Sequence, residues 1–229
     1  MEAIILAGGL GTRLGPRVQG IPKSMASVGG RPFLEILLGQ LERCGCSRVV
    51  LSVGYLREVI QTHFGASYGR MQVVYAVEDT PLGTGGAIRK SLGMTTENAA
   101  LVLNGDTFVD ADYAAMIRNH CESDAVMTMA ITQQPDIGRY GSVIVKGGRV
   151  TGFGEKGSCG PGWINAGAYV LNRKLSWPEE LRESFSFERD YLEPQISLLR
   201  PIAFEVYGFF LDIGVPEDYD RARTELRGR

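Results

Sequence analysis

Apolar residues in the first half of the chain come in two alternating patterns. Short unbroken runs, "EAIILA" (2–7), "RVVLSVG" (48–54), "MQVVYAVE" (71–78), "AALVLNGD" (99–106) and "AVMTMAIT" (125–132), predict strands buried on both faces. Between them lie stretches with apolar positions three and four apart, which predict helices: 31–45, 56–65, 85–93 and 111–123. In the first of these, Phe33, Leu34, Leu37, Leu38 and Leu41 share one face, Pro32 suits the first turn and Gly45 ends the helix. Strands alternating with helices predict an α/β fold with a mostly parallel sheet and helices on both faces.

The pattern changes after residue 132. "YGSVIVKGGRVTGFGE" (140–155) predicts a hairpin turning at Gly147-Gly148, and "WINAGAYVLN" (163–172) a further strand. "ERDYLEPQISLL" (188–199) reads as helix broken at Pro194, and "IAFEVYGFFLDIG" (202–214) as a strand pair or one bent strand. "VPEDYDRARTELR" (215–227) is a closing helix with Pro216 in its first turn. Neither linker nor repeat interrupts the chain. The expectation is one domain, 1–229, with a half at 1–132 and an elaborated half at 133–229.

Composition narrows the function. Hydrophobic residues make up 44% and charged residues 22% of the chain, enough for a real core. A net charge of −2 gives no global attraction to nucleic acid or anionic membrane, so an anion site must be local. The first apolar run has no basic segment before it and is too short for a signal or a spanning helix, which points to the cytoplasm and away from the membrane. Cys44-Gly-Cys46 fits neither a zinc nor a redox motif, and Cys121 and Cys159 stand alone; reduced, partly buried thiols are expected. His63 and His120 lack a nucleophile in an elbow motif, which gives a hydrolase triad little support.

Candidate chemistry concentrates where the first strand ends, in "AIILAGGLGTRLGPRVQGIPKSM" (3–25). Glycines let backbone N–H groups surround phosphate oxygens, and open parallel sheets bind ligands at strand carboxyl ends. A P-loop needs a lysine directly after glycine, but Lys23 follows Pro22. A dinucleotide fingerprint needs a third glycine, where this chain has Leu14 after Arg13. Two separate cations, Arg13 and Lys23, suit two phosphate groups compensated at once.

Those residues resemble the signature GGxGTRLxPxTxxxPKxM of the sugar-1-phosphate nucleotidylyltransferases, with Val18 where threonine is common. The resemblance continues in "EDTPLGTGGAI" (78–88), "LNGDTF" (103–108), "FGEK" (153–156), "INAGAYVL" (164–171) and "FLDIGVPEDY" (210–219). It implies a three-layer, Rossmann-like fold of the nucleotide-diphospho-sugar transferase, or GT-A-like, kind. The first half would bind the nucleotide; the second would bind the sugar, contribute to any dimer and admit a homodimer. A single domain without a C-terminal β-helix is the expectation.

The implied reaction is attack by a sugar 1-phosphate oxygen on the α-phosphorus of a nucleoside triphosphate, with pyrophosphate leaving. The nucleophile is already an anion, so no general base is required; the work is alignment and charge stabilisation. By the resemblance Arg13, Lys23 and Asp106 are catalytic, Lys23 at the α-phosphate and Arg13 at the pyrophosphate. Leu6, Ala7, Gly8, Gly9, Gly11, Thr12, Glu78, Pro81, Gly83, Thr84 and Asn104 complete the nucleotide site, with the base lying over Leu6–Gly8 and against Pro81–Gly85. Lys156 would meet the sugar phosphate, while Glu155, Asn165 and the Gly141 backbone would meet the sugar. Asp106 and Asp212 would hold one Mg²⁺. Trp163 and Tyr169 are expected in the core.

"PLGTGGAI" resembles the "PLGTAGAL" of guanylyl transferases, which implies GTP. The length and "SFERDYLEP" (186–194) resemble D-glycero-α-D-manno-heptose 1-phosphate guanylyltransferases of surface-polysaccharide pathways, with mannose 1-phosphate the competing sugar. A catalytically idle, sugar-nucleotide-binding regulatory subunit is the alternative of another class. It would have lost the loop cations or metal carboxylates, which this chain keeps.

Overall fold

The computed structural model describes residues 1–9, 20–154, 157 and 159–227. In chain order the elements begin with β1 (Glu2–Leu6), a 3₁₀ turn (Lys23–Met25), β2 (Ser27–Val28), β3 (Arg31–Pro32), α1 (Phe33–Arg43), β4 (Arg48–Val53) and α2 (Arg57–Phe64). Next come β5 (Ser67–Tyr68), β6 (Met71–Val77), α3 (Gly83–Leu92), β7 (Ala99–Asn104), β8 (Thr107–Val109), α4 (Tyr113–Cys121) and β9 (Met127–Gln134). The second half adds β10 (Val143–Lys146), β11 (Arg149–Phe153), β12 (Gly162–Asn172), a π-helical turn (Phe187–Leu192), α5 (Ile196–Leu199), β13 (Ile202–Val206), β14 (Phe210–Asp212) and α6 (Pro216–Glu225).

The unbroken apolar runs are strands whose two faces are both covered. Ala3 and Ile5 enter one core layer and Ile4 the other; Val49 and Leu51 divide from Val50 in the same way. Side chains of α1, α2, α4 and α6 fill the first layer, and those of α3, the π turn and α5 the second. Each fully buried aliphatic side chain contributes about 1.5–3 kcal/mol, so a polar residue at any of these positions is costly on either face.

The main sheet has the order β10-β11-β13-β9-β12-β7-β1-β4-β6-β5. Strands β7, β1, β4 and β6 are parallel neighbours. Their carboxyl ends therefore form one row along a single sheet edge. Apart from the antiparallel pairs β5–β6, β10–β11 and β11–β13, strand β12 is antiparallel to both β7 and β9. It joins the parallel half to the β9–β13 pair, which is parallel again. The division drawn at residue 132 falls inside β9, a strand that both halves share.

Of the two readings of 202–214, a strand pair or one bent strand, the structure has two strands. Strand β13 stays in the main sheet, while β14 leaves it and pairs antiparallel with β8. The Gly147-Gly148 hairpin forms as expected, with φ of +56° and +69°. Two successive positive φ values are what a tight two-residue hairpin turn demands, and glycine adopts them freely. Cys46 is buried and Cys44 half-buried, but Cys121 and Cys159 are exposed; all four are free thiols. Tyr169 is fully buried, while Trp163 is only half-buried and meets the exposed Tyr207 edge to face. Among the described residues, no helix is long and apolar enough to cross a membrane.

His120 ties α4 to the sheet and makes the fold sensitive to acid. It is 2% exposed, with Nδ1 2.9 Å from Thr128 Oγ1 and Nε2 3.0 Å from Asn172 Oδ1. The Asn172 oxygen can only accept, so Nε2 carries the proton and Nδ1 accepts from the threonine hydroxyl. Burial pushes its pKa below the ordinary 6.5, partly offset by Asn172. The unfolded chain thus takes up a proton that the folded chain resists. This contribution to stability should be complete above pH 6.5 and fall away as the pH drops below it. Melting temperatures of the protein and His120→Gln at pH 8, 7, 6 and 5 check this. The variant should melt lower at pH 8 and lose less between pH 7 and 5; equal slopes would place the acid sensitivity elsewhere.

Candidate functional site

The four parallel carboxyl ends enclose a cavity of about 680 Å³, within the range of small-molecule sites. Residues Leu6–Gly9 after β1, Gly54–Glu58 after β4, Glu78 and Asp79 after β6, and Asn104–Asp106 at the end of β7 form its walls. Close backbone contact brings these ends together. A Cβ on Gly105 would stand 2.3 Å from the Leu6 carbonyl oxygen, so only glycine lets β7 end against β1.

Lys23 reaches the cavity from a separate segment. Pro22 is extended, and the 3₁₀ turn follows it, closed by Met25 N–H donating to Pro22 O at 2.9 Å. Ser24 Oγ donates to Ala7 O at 3.4 Å, tying the turn to the end of β1. Lys23 is 7% exposed, and its Nζ lies 2.5 Å from Asp106 Oδ2. A buried ammonium without a partner would be strongly unfavourable, and Asp106 supplies the opposite charge.

The opposite wall is acidic. Glu78 Oε1 accepts from Ser52 Oγ at 2.8 Å, and Oε2 accepts from Leu82 N–H at 3.1 Å. A Cβ on Gly8 would come within 3.0 Å of Glu78 Oε1, so Gly8 keeps the carboxylate open to the cavity floor. Arg57 Nη1 bonds Asp79 Oδ1 at 2.8 Å, joining the loop after β4 to the loop after β6. Leu56, at φ +51°, is one of the few non-glycine residues in the left-handed region. Such backbone is uncommon for a bulky residue and occurs chiefly where structure or function over-determines it.

Of the described residues expected at the nucleotide, Leu6, Ala7, Gly8, Gly9, Lys23, Glu78, Pro81, Gly83, Thr84 and Asn104 line this one cavity, with Asp106 beside them, while Leu82 and Gly85 of the stretch 81–85 do not. Gly11, Thr12, Arg13, Glu155 and Lys156 lie outside the described residues. Gly85 needs correcting. It does not line the cavity; a Cβ there would overlap the Phe185 ring at 2.1 Å. The glycines of "PLGTGGAI" serve packing as much as ligand access, since Gly85 N–H also donates to Phe185 O at 2.9 Å.

Asp212 does not line the cavity, but the fold sets it beside Asp106. In the β8–β14 pair Asp212 faces Thr107, and Ile213 N–H donates to Asp106 O at 2.9 Å. Asp212 Oδ1 accepts from Gly214 N–H at 2.7 Å. Its charge is also felt next door to Gly141. Tyr140 is pushed above its ordinary pKa chiefly by burial; Arg139 opposes this, and Asp212 adds to it. Gly141 and Asn165 come to the same side, because Gly154 N–H donates to Ser142 O and Ser142 bridges Ile164. Among the described residues, no group of three or more His, Cys, Asp or Glu is placed to hold a metal ion.

Sequence reasoning missed the wall Gly54–Glu58. The signal was present: "SVGYL" is an apolar strand running into glycine, the same transition as at Gly8 and Gly105. The carboxyl-end rule that selected the first loop applies equally to β4.

The model of the nucleotidyl transferase family matches residues 2–227, and the chain is a member of that family. More particularly, the chain is 42% identical over 227 residues to the D-glycero-alpha-D-manno-heptose 1-phosphate guanylyltransferase of Aneurinibacillus thermoaerophilus, covering 99% of each chain. The enzyme of the same name from Campylobacter jejuni is 41% identical over 220 residues, which is 96% of this chain and 97% of that one. Among solved structures, HddC from Yersinia pseudotuberculosis complexed with GMP-PN superposes with a TM-score of 0.86 at 36% identity, over 98% of this chain and 99% of that one.

Proposed function

We propose that the protein transfers GMP from GTP to D-glycero-α-D-manno-heptose 1-phosphate, giving the GDP-sugar and pyrophosphate. The observation that carries this reading is the polarity of the cavity, with Lys23 and Asp106 at the β7 end and Glu78 at the β6 end. A nucleoside triphosphate laid along the row puts its phosphates at the cation and its base at the carboxylate. Near-full-length identity to two heptose 1-phosphate guanylyltransferases supports the choice of sugar and base.

The base preference has a chemical reason. Guanine presents two adjacent donors, N1–H and N2–H₂, and a carboxylate can accept from both. Each Glu78 oxygen already accepts one hydrogen bond, to Ser52 and Leu82, and keeps a further lone pair. Uracil and thymine present one N–H between two carbonyl oxygens, which a carboxylate repels. Adenine presents one donor beside an acceptor.

Lys23 contacts the α-phosphate oxygens, and its charge matters most as the phosphorus becomes five-coordinate. Arg13 takes the leaving pyrophosphate. Glu155 and Asn165 read sugar hydroxyls, Gly141 contributes backbone, and Lys156 holds the sugar phosphate. Asp106 and Asp212 suit Mg²⁺, a hard cation that takes one or two carboxylates together with substrate phosphates and waters. Bound there, Mg²⁺ would offset the repulsion between the two phosphate groups. Lys23, in turn, needs a new anion wherever Asp106 is engaged elsewhere.

A panel of GTP, ATP, UTP and dTTP against heptose, mannose and glucose 1-phosphates, read by pyrophosphate release, tests this function. GTP with the heptose phosphate should give the highest kcat/KM. Faster turnover with dTTP or UTP would overturn the guanine assignment, and preference for mannose 1-phosphate would overturn the sugar.

Lys23→Ala should lower kcat by a factor on the order of 10²–10³, while GTP binding measured by calorimetry weakens much less. Near-normal turnover would show that Lys23 is not at the reacting phosphorus.

A further inference from the structure

The segment after Phe185 is laced to both halves of the site. Phe185 N–H donates to Leu82 O at 3.0 Å, and Phe187 N–H donates to Thr84 Oγ1 at 2.8 Å. The π turn that follows is held open by its own ends. Ser186 Oγ accepts from Arg189 N–H, Asp190 Oδ2 accepts from Ser186 N–H, and Glu193 N–H reaches back to Glu188 O. Widened turns of this kind recur at functional sites. This one presents Glu188 between the nucleotide loop and β12.

Glu188 accepts two hydroxyl protons. Thr84 Oγ1 donates to its Oε2 at 3.2 Å, and Tyr169 OH donates to its Oε1 at 3.0 Å. Neither hydroxyl has a choice. Thr84 Oγ1 already accepts from Phe187 N–H, and Tyr169 OH already accepts from Asn165 Nδ2, so each sends its single proton to the carboxylate. The direction then propagates to Asn165. Its Nδ2 faces Tyr169, and its Oδ1 accepts from Gly167 N–H at 2.9 Å. Gly167 makes the turn possible, since it sits at φ +71° in the irregular stretch of β12. After these bonds Asn165 keeps one N–H and one lone pair, and their positions are fixed.

We infer that Glu188 is a positioning residue: as a pure acceptor it orients the Asn165 amide through Tyr169, and so sets which sugar hydroxyls the site can pair. This rests on the assignment of Asn165 to the sugar. Glu188 need not touch substrate. Its role is to fix the sense of a hydrogen-bond chain that only an acceptor at this position completes. Glutamine has the same size but one acceptor and one donor, and it cannot receive both hydroxyl protons. One end of the chain must then reverse or break. Tyr169→Phe cuts the same chain one link nearer the sugar and keeps the packing of the ring against Phe187.

The test is steady-state kinetics on Glu188→Gln, Tyr169→Phe, the double variant and Asn165→Ala, with melting temperatures beside them. The first two should each raise KM for the sugar 1-phosphate about tenfold. Tyr169→Phe should leave KM for GTP within about twofold, and the double variant should be no worse toward the sugar than Glu188→Gln, because both break one chain. Wild-type sugar KM in both single variants, losses that multiply in the double, or lower melting temperatures without a change in KM would each overturn the inference. Asn165→Ala separates the two levels. If it leaves the sugar KM unchanged, the assignment of Asn165 falls and the inference with it. If it raises KM while Glu188→Gln does not, the positioning role alone fails.

Discussion

A lysine and an aspartate 83 positions apart in sequence meet at 2.5 Å, and the site depends on that contact. It requires β7 to lie directly beside β1, which in turn requires Gly105, because any side chain there would collide with the Leu6 carbonyl. It also requires the Pro22-led turn to lie against Ala7. A buried ammonium is tolerated only with an anion beside it. Placing Lys23 in the interior therefore commits the fold to bringing an anion there, from the chain or from a substrate.

The rest of the cavity extends that commitment along the sheet edge. Moving from β7 through β1 and β4 to β6, the wall changes from the Lys23–Asp106 pair through glycine backbone to the Glu78 carboxylate. A molecule with a polyanionic end and a donor-rich end matches such a gradient. The second half adds what the parallel edge lacks. By leaving the main sheet, β14 brings Asp212 next to Asp106, and the irregular stretch of β12 turns Asn165 onto a chain of hydrogen bonds that ends in the nucleotide loop.

Most of the parallel half was legible because its signals are local. Continuous apolar runs mean two covered faces, and Ile4 and Ile5 do enter opposite layers. The Gly147-Gly148 hairpin was legible for the same reason. What sequence could not supply was pairing at long range. Nothing in "WINAGAYVLN" says that it inserts antiparallel between β7 and β9, and nothing in "FFLD" says that it pairs with β8. Both are decided by which edges remain open once the parallel strands have assembled. The site followed the same division. Residues at the end of a single strand, such as Gly8 or Asp106, could be named from motif and position. Glu188 could not, because its importance lies in Thr84 and Tyr169, 104 and 19 residues away. Gly85 was misread for a related reason: its neighbour is Phe185, which no local pattern connects to it.

The central claim is that Asp106 and Asp212, joined by the β8–β14 pair, act together as oxygen ligands beside Lys23. Asp212→Asn tests it most directly. The amide oxygen can still accept from Gly214 N–H, so the turn keeps its bond, but half of the anionic ligand charge is gone. The measurement is turnover as a function of Mg²⁺ concentration, with the melting temperature taken alongside. The account predicts an activation midpoint moved to at least about tenfold higher Mg²⁺, with partial recovery in Mn²⁺ and an unchanged melting temperature. An unshifted activation curve accompanied by a lower melting temperature would contradict it and leave Asp212 as a turn residue before Pro216.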